Sequence, residues 1–403
     1  MQNSLPYSIL LLIYFILGML IWWGFFGYLL LLLFFSIFTH ARKKIINTNY
    51  YPFITVLVPC HNEESWVDMK VNNLIETDYP KDKMEIIFAE GNSEDKTVEY
   101  LKIKTRDFSY MKVVQTGCRG KINQINAVMT EIKTDIVVNT DMDTMLEKDT
   151  LKKLVREFED PDVFVVGACI LPDTHLIIEK QYWENQNIFR VLESEVYSSS
   201  IVIAPCYAYR KQLLSTFPED CVADDIYVAY LANTLGKRSV YLKDAFAHEK
   251  RTPSSFTELL NHKFRKANAF IVEQLRFIYM LPKMKTSWKL IFLSKLLQII
   301  FMPWILIMFL VFTIIFLLGE INTTIGTFQF GIGFYYVTGI IIFLFLSFLL
   351  CHLMIERKRT YHIDSKYKRR SNLAIFLLVN LILFIAGISY PFYKQTSNYS
   401  KTK

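Results

Sequence analysis

The sequence has few cysteines and histidines, and neither residue type is clustered. Six cysteines lie at positions 60, 118, 169, 206, 221 and 351 without a Cys-x-x-Cys pair, and the seven histidines are equally scattered. This spacing argues against a zinc site built from Cys and His and against a disulfide framework. It suits a protein in a reducing compartment.

Charged residues are missing from long stretches of the chain. The run Leu5–Phe38 contains no Lys, Arg, Asp or Glu, and it exceeds the roughly 20 residues that a helix needs to cross a bilayer. No small-residue cleavage site follows it, which argues against a signal peptide. The excess length predicts either a tilted helix or a hairpin broken at Gly24 or Gly27, and a single crossing is the simpler interpretation.

Three further apolar runs predict transmembrane helices near Leu296–Leu318, Ile332–Met354 and Leu373–Tyr393. The loop 319–331 has no Lys or Arg, whereas the loop 355–371 is rich in both. Basic loops face the cytoplasm. We therefore expect a multi-pass protein of the plasma membrane, with both termini outside and the long charged segment after the first span in the cytoplasm.

The formal net charge is +7, but the basic residues do not form a stripe that would bind nucleic acid. Many of them lie in short clusters beside apolar runs, as in Arg42–Lys44 and Lys366–Arg370. That distribution is typical of cytoplasmic loops that face anionic lipid. We expect membrane lipids as partners and no nucleic acid.

These patterns divide the chain into three parts. Residues 1–42 are expected to form an N-terminal transmembrane segment, residues 43–285 a cytoplasmic domain, and residues 286–403 an interfacial helix and three transmembrane helices. The interfacial helix is predicted at Trp288–Gln298, where Trp, Lys and Leu alternate amphipathically. That this stretch simply begins the next span is an equally good interpretation.

Within the cytoplasmic domain, short apolar runs alternate with helical patterns. The runs predict strands at Phe53–Val58, Met84–Ala89, Met111–Gln115 and Asp135–Thr140. The alternation predicts an α/β fold with a Rossmann-like, mostly parallel sheet that is covered on both faces. In such folds, ligands bind at the carboxyl ends of the strands.

Polar clusters follow three of these strands, at Cys60–Glu64, Glu90–Asp95 and Asp141–Asp143. Each cluster alone is typical of a turn or a helix N-cap, but together they predict one polar crevice. Asp141 and Asp143 are the most informative, because alternate residues of an extended backbone point to the same side. Their oxygens suit Mg²⁺ or Mn²⁺, ions that often complete their shell with substrate phosphates.

These motifs resemble family 2 of the inverting glycosyltransferases, specifically the membrane-embedded synthases of cellulose, hyaluronan and poly-N-acetylglucosamine, whose catalytic domain has the GT-A fold. The resemblance covers roughly residues 50–270. The matching segments are Val58–Glu64, Glu90–Thr97, Gly120–Ala127, Asp141–Thr144, Tyr207–Arg210 and Ala223–Asp225.

The resemblance implies a nucleotide-sugar donor, most simply a UDP-sugar, and a role for each matching residue. Residues of the donor pocket would be Pro59, Asn62, Glu63, Glu90, Lys121, Asp141 and Arg265, with Glu90 reaching the base. The metal would be held by Asp143 together with Asp141. Asp225 would be the general base that accepts the acceptor's proton. Simpler alternatives are a helix N-cap at Asp224–Asp225, a turn at Glu90 and a solvated lysine at Lys121.

The sequence departs from the family at the Gln-x-x-Arg-Trp motif of processive members. The best alignment is His262–Lys266, which keeps Arg265, a residue suited to pairing with a diphosphate. His262 replaces Gln, and Lys266 replaces the Trp that stacks on the growing glycan. His262 and Asp224 are expected near the acceptor or its gate, although a basic lipid-facing helix would also explain His262 and Arg265.

Three hypotheses remain open at the level of sequence. The first is an inverting transferase that adds sugar to a growing polysaccharide or another membrane-associated acceptor. The second is a transferase that acts once on a lipid, such as a polyprenyl phosphate or a ceramide-like acceptor, and the loss of Trp favours it. The third is a catalytically inactive membrane scaffold, which the three carboxylates Asp141, Asp143 and Asp225 argue against.

Overall fold

The computed structural model describes residues 4–39, 49–321, 332–358, 381–382, 384–390 and 392. An eight-stranded sheet forms the centre of the α/β domain. Its strands are β1 (Ile54–Cys60), β2 (Met84–Glu90), β3 (Met111–Gln115), β4 (Ile136–Thr140), β5 (Thr144–Leu146), β6 (Val163–Pro172), β7 (Cys206–Arg210) and β8 (Arg238–Glu249).

The helices of the domain cover both faces of this sheet. They are α3 (Val67–Ile75), α4 (Thr97–Thr105), α5 (Lys121–Val128), α6 (Thr150–Arg156), α7 (Ile177–Val196), α8 (Asp224–Thr234) and α9 (Phe256–Arg276). Buried side chains of α3, α4 and α6 pack on one face, and those of α5 and α8 pack on the other.

The sheet is mixed, in the order β3-β2-β1-β4-β7-β6-β8-β5. The strand pairs β2–β3, β1–β2, β1–β4 and β6–β8 are parallel, whereas β4–β7, β6–β7 and β5–β8 are antiparallel. The predicted strands β1 to β4 form a parallel block, and β6–β8 is a second parallel pair that was not predicted. Because β1, β2 and β4 run in the same direction, the three polar clusters meet at one edge, as expected from their positions after the strands.

The first apolar run is one continuous helix rather than a hairpin. Helices α1 (Ser4–Trp22) and α2 (Tyr28–Thr39) join through a π-helical turn at Trp23–Gly27, which contains both glycines. Gln298 Nε2 donates to the carbonyl of Gly24 at 2.8 Å. This bond satisfies a backbone group inside an apolar helix, which a membrane environment requires.

The second long helix is also continuous. Helix α10 (Thr286–Leu296) passes through a π-helical turn, Leu297–Phe301, into α11 (Met302–Ile321). Trp288 of α10 is fully buried and packs against Tyr230 of α8. The stretch predicted as an interfacial helix is thus continuous with the next apolar helix, and its position relative to a membrane stays a prediction.

Three helical segments of the described chain are long and apolar enough to cross a membrane: Ser8–Phe38, Thr286–Leu317 and Tyr335–Met354. The third belongs to α12 (Ile332–Lys358). Most of the fourth predicted span, Leu373–Tyr393, lies outside the described residues, as do the basic cluster Arg42–Lys44 and most of the loop 355–371.

Candidate active site

The loops after β1 and β2 are tied to each other by side chains. Asn62 adopts a left-handed backbone conformation with φ of 53°, which asparagine tolerates better than most residues. Its N–H donates to Ser93 Oγ at 2.9 Å, and its Oδ1 accepts from the N–H of Glu94 at 2.8 Å. These bonds fix Asn62 at the carboxyl edge of the sheet.

Glu90, at the end of β2, forms a hydrogen bond within the turn that follows the strand. Its side chain is buried, and its Oε1 accepts from the N–H of Ser93 at 2.6 Å. This is the turn role that the sequence left open. Its assignment to the nucleotide base stays a prediction.

Lys121 connects the loop after β4 with the start of α8. Its Nζ lies 2.8 Å from Asp141 Oδ1 and 3.2 Å from Asp224 Oδ2. Asp224 Oδ2 also accepts from Asn139 Nδ2 at 3.0 Å and from the Tyr207 hydroxyl at 2.7 Å. Lys121 is therefore a cation held between two carboxylates, not a solvated residue of the first helical turn.

Arg251 holds the other two carboxylates of this edge. Its guanidinium pairs with both oxygens of Glu63, and its Nη1 lies 3.3 Å from Asp143 Oδ2. Burial and the neighbouring Asp141 nevertheless raise the pKa of Asp143 to about 7. The carboxylate of Asp143 is thus placed where additional positive charge would stabilise it.

A buried lysine lies beneath the two aspartates. Lys70 of α3 is fully buried, and its Nζ donates to Thr140 Oγ1 at 2.9 Å and to the carbonyl of Thr144 at 2.5 Å. Burial lowers its pKa to about 8, and the charges of Asp141 and Asp143 oppose that shift. Lys70 thus holds the Thr140 side chain before the aspartate pair and the Thr144 backbone after it.

Asp225 lies in the first turn of α8. Its Oδ2 accepts from the N–H of Ala204 at 3.0 Å, and burial together with the adjacent Asp224 raises its pKa to about 6. The residue at the N-cap position is Ala223, which has no side-chain cap. The N-cap alternative for Asp224–Asp225 is therefore not what the structure shows.

One cavity of about 1150 Å³ brings most of these residues together. Of the predicted site residues, its lining includes Pro59, Asn62, Glu63, Lys121, Asp141, Asp143, Asp224, Asp225, His262 and Arg265. Glu90 is not part of the lining. The same cavity continues between the long apolar helices, where it is bounded by Phe25, Phe26, Ile299, Met302, Phe348 and Ile382.

Helix α9 forms the basic wall of the cavity. Lys263 Nζ lies 2.8 Å from Glu179 Oε1 of α7, and both side chains are buried. Lys266 Nζ lies 4.9 Å from the ring centroid of Trp183. His262 is only 8% exposed, so it does not belong to a lipid-facing surface. The position that holds Trp in processive synthases instead places a cation against an aromatic ring of α7.

Sequence reasoning missed several residues of this site, namely Lys70, Arg190, Glu249 and Arg251. Glu249 lines the cavity, and burial raises its pKa. Its position at the end of β8 was visible as an apolar run followed by His248–Glu249, but nothing in the sequence placed that strand beside β5 and β6. Arg251 carried no motif of its own.

The strand order and the aspartate pair after β4 define the class of this domain: it has the GT-A fold of nucleotide-sugar glycosyltransferases. The same fold occurs in the mannosyltransferase PcManGT from Pyrobaculum calidifontis, solved with GDP-Man and Mn²⁺. The match has a TM-score of 0.68 and 21% identity over 95% of this chain and 99% of that chain.

Residues 55–217 match the family described as Glycosyl transferase family 2, so the chain carries a domain of that family. An N-acetylglucosaminyltransferase of Rhizobium leguminosarum bv. viciae is 26% identical over 60% of this chain and 63% of its own length. A beta-monoglucosyldiacylglycerol synthase of Synechocystis is 32% identical over 28% of this chain and 24% of its own length. The chain thus spans less than two thirds of either curated relative.

Replacing Arg251 by Met tests the charge balance of the site. Removing one partner of a buried ion pair leaves uncompensated carboxylates and destabilises a protein by about 3–5 kcal/mol. We expect a clear drop in the melting temperature of the detergent-solubilised protein. Arg106→Met is the matched control, because Arg106 pairs with Asp107 on the surface, where such pairs contribute about 1 kcal/mol or less. Equal melting temperatures for the two variants would contradict the assignment.

Proposed function

We propose that the chain is an inverting, metal-dependent glycosyltransferase that moves a sugar from a nucleotide-sugar donor to an acceptor in the membrane. The observation that carries this proposal is the single cavity. It joins Asp143 and Asp225 to an apolar section between the long helices. A donor bound at the sheet edge and an acceptor entering from the membrane would meet beside Asp225.

The residues at the sheet edge suit a divalent ion. Among the described residues, no group of three or more His, Cys, Asp and Glu side chains is arranged to hold a metal, but Mg²⁺ and Mn²⁺ commonly use one or two carboxylates and take the remaining oxygens from phosphate and water. Asp143, with its raised pKa, and Asp141 would supply those carboxylates. A bound ion would stabilise the charge that develops on the departing nucleoside diphosphate.

The protein groups divide the remaining chemistry between them. Asp225 accepts the proton of the acceptor hydroxyl while the hydroxyl oxygen bonds to the anomeric carbon of the sugar. The bond from that carbon to the diphosphate breaks, and its electron pair leaves with the nucleotide. Displacement from the opposite side inverts the anomeric carbon. Lys121 pairs with both Asp141 and Asp224, so it holds the loop after β4 close to the start of α8.

The donor we propose first is a UDP-sugar, as the resemblance of the motifs implies. A GDP-sugar is the alternative to compare directly, because the Pyrobaculum calidifontis mannosyltransferase was solved with GDP-Man. Pro59, Asn62, Glu63 and Lys121 would line the nucleotide end of the pocket, and Arg265 would contact the diphosphate.

For the acceptor, we favour a membrane lipid that is glycosylated once. The membrane end of the cavity is apolar, as expected for a tail rather than a glycan, and Lys266 occupies the place of the glycan-stacking Trp. A growing polysaccharide is the second candidate. The long apolar helices that precede and follow the domain favour it, because they pack together and with the cavity could form an exit path.

We further propose that the domain faces the cytoplasm of a multi-pass protein in the plasma membrane, with both termini outside. This arrangement would give the site access to cytoplasmic nucleotide sugars. A catalytically inactive scaffold is the alternative from a different class. It is disfavoured because the cavity places Asp141, Asp143 and Asp225 in one lining, an arrangement that scaffolding does not require.

The proposal predicts metal-dependent release of nucleotide from a single preferred donor. The purified protein would be assayed with a panel of UDP-sugars and GDP-mannose in Mg²⁺ or Mn²⁺ and with membrane lipids as acceptors. We expect Asp225→Asn to reduce release by at least about 100-fold, because loss of an acid–base group typically costs 10²–10⁴ in rate. We expect Asp143→Ala to abolish the metal dependence and most of the release, because the ion that stabilises the departing diphosphate loses a carboxylate. Asp68→Asn, an exposed α3 residue paired with Lys104, is the control. Release that persists in both site variants would refute the proposed roles, and sizing the product separates single transfer from polymer.

The proposal also predicts an acidic limb in the rate profile near pH 6. Asp225 works as a carboxylate, and its pKa is raised to about 6 by burial and by Asp224. We expect kcat/KM to fall about tenfold per pH unit below that value, because the protonated fraction grows by that factor. Saturating metal keeps Asp143 ionised, since a bound cation favours its charged form. A flat profile down to pH 5 would remove Asp225 as the base.

A further inference from the structure

The buried carboxylate of Glu193 in α7 joins two long apolar helices to the α/β domain. Its Oε1 accepts from the hydroxyl of Tyr28 in α2 at 2.7 Å and lies 2.9 Å from Lys295 Nζ of α10. Its Oε2 accepts from the N–H of Ser200 at 2.8 Å and from the Ser200 hydroxyl at 2.5 Å. Burial alone would raise the pKa of Glu193, but Lys295 and these hydrogen bonds hold that pKa below its ordinary value. Glu193 is therefore an anion whose two oxygens bind different parts of the molecule.

The segment 198–205 connects α7 with β7 and packs against the sheet. The N–H of Ser199 donates to the carbonyl of Ser239 in β8 at 2.8 Å. Val202 is fully buried, and a Cβ added to Gly167 of β6 would lie 2.8 Å from the Cβ of Val202. Because the segment is enclosed in this way, its backbone position depends on what holds its two ends.

The carboxyl end of this segment holds two carboxylates of the site. The N–H of Ala204 donates to Asp225 Oδ2 at 3.0 Å. The carbonyl of Pro205 accepts from the N–H of Asp141 at 3.1 Å. Ala204 follows Ser200 by only four residues, so the N–H that orients Asp225 belongs to the same short segment that is bound at its other end by the carboxylate of α7.

We propose that Glu193 is a positioning residue for Asp225, acting through the segment 198–205, so that the packing of α2 and α10 sets the geometry of the proposed general base. This inference rests on the proposed function, because it requires that Asp225 accepts the acceptor's proton. Glu193 is not among the described residues that line the cavity, so it would act through the segment and not by touching donor or acceptor.

The test replaces Glu193 by Gln, and Glu99→Gln on the exposed surface of α4 is the matched control. Nucleotide release is measured with the donor that the panel of UDP-sugars and GDP-mannose selects, and the affinities for UDP and GDP are measured beside it. We expect kcat of Glu193→Gln to fall at least about tenfold, because misplacing a reacting group by about 1 Å can cost 10²-fold in rate. Nucleotide affinity should stay at the wild-type value, and Glu99→Gln should change neither quantity.

The acidic limb of the rate profile should also move to higher pH in Glu193→Gln. The groups that act on Asp225 are the carboxylate of Asp224, the ammonium of Lys121, the hydroxyl of Tyr207 and the N–H groups of Ala204 and Ile226. Of these, the substitution loosens the bond from Ala204, which lowers the pKa of Asp225. A weaker bond to the carboxylate lets that pKa rise. A general loss of stability would reduce the folded fraction without moving the limb.

Ser200→Ala carries the test if melting temperatures show that Glu193→Gln does not fold. It removes one hydrogen bond between the segment and Glu193 but keeps the ion pair with Lys295, so kcat and the limb should move in the same directions by less. Tyr28→Phe should do likewise, because it removes the bond from α2.

The outcomes separate this inference from the proposed function. If Asp225→Asn loses nucleotide release while kcat and the acidic limb of the Glu193 and Ser200 variants match the control, the inference is wrong and the proposed function stands. A fall in UDP or GDP affinity as large as the fall in kcat would also overturn it, because Glu193 would then support the donor site. If Asp225→Asn keeps releasing nucleotide, the proposed base and the inference fail together.

Discussion

Charge compensation at the carboxyl edge of the sheet is the interaction on which the site depends. Four carboxylates converge there from loops that are far apart in sequence, and each is held by a cation: Lys121 pairs with Asp141 and Asp224, and Arg251 pairs with Glu63 and Asp143. Without those cations, burial would drive the carboxylates to their neutral forms or apart. The loops after β1, β4 and β8 therefore occupy one site because opposite charges hold them there.

The same kind of pairing joins the α/β domain to the apolar helices. Glu193 of α7 accepts a hydrogen bond from Tyr28 of α2 and pairs with Lys295 of α10. A single buried carboxylate therefore connects the α/β domain with both long helices. Trp288 packs against Tyr230 of α8 with ring centroids 5.1 Å apart. These contacts fix the apolar section of the cavity relative to Asp225.

The parts of the fold that depend on local pattern could be predicted from sequence, and the parts that depend on distant pairing could not. Strands β1 to β4 follow from apolar runs, three of which end in polar clusters, and the bounds of β3 were predicted to the residue. Strands β5 to β8 pair across long separations and in both directions, so no local pattern shows their register. The sequence around Trp288 is amphipathic, and only the folded chain shows that this side chain packs against Tyr230 of the domain.

The residues of the site likewise fall into those that the sequence predicted and those that only the structure shows. Residues with a family motif, such as Asp143 and Asp225, were found because the motif names them. Lys70, Arg190 and Arg251 have no motif, and only the folded chain shows that each lies beside a buried carboxylate, a ring or a cavity. Glu90 illustrates the converse, since its motif position coincides with a carboxylate that the structure uses in a turn.

The central claim is that the donor site and the apolar helices share one cavity. Ile299→Trp tests it most directly, because Ile299 is buried in the apolar section, while Ile307→Trp on the exposed side of α11 is the control. The account predicts that folded Ile299→Trp protein still binds nucleotide but no longer transfers sugar to a membrane acceptor. Transfer at the wild-type rate would contradict it.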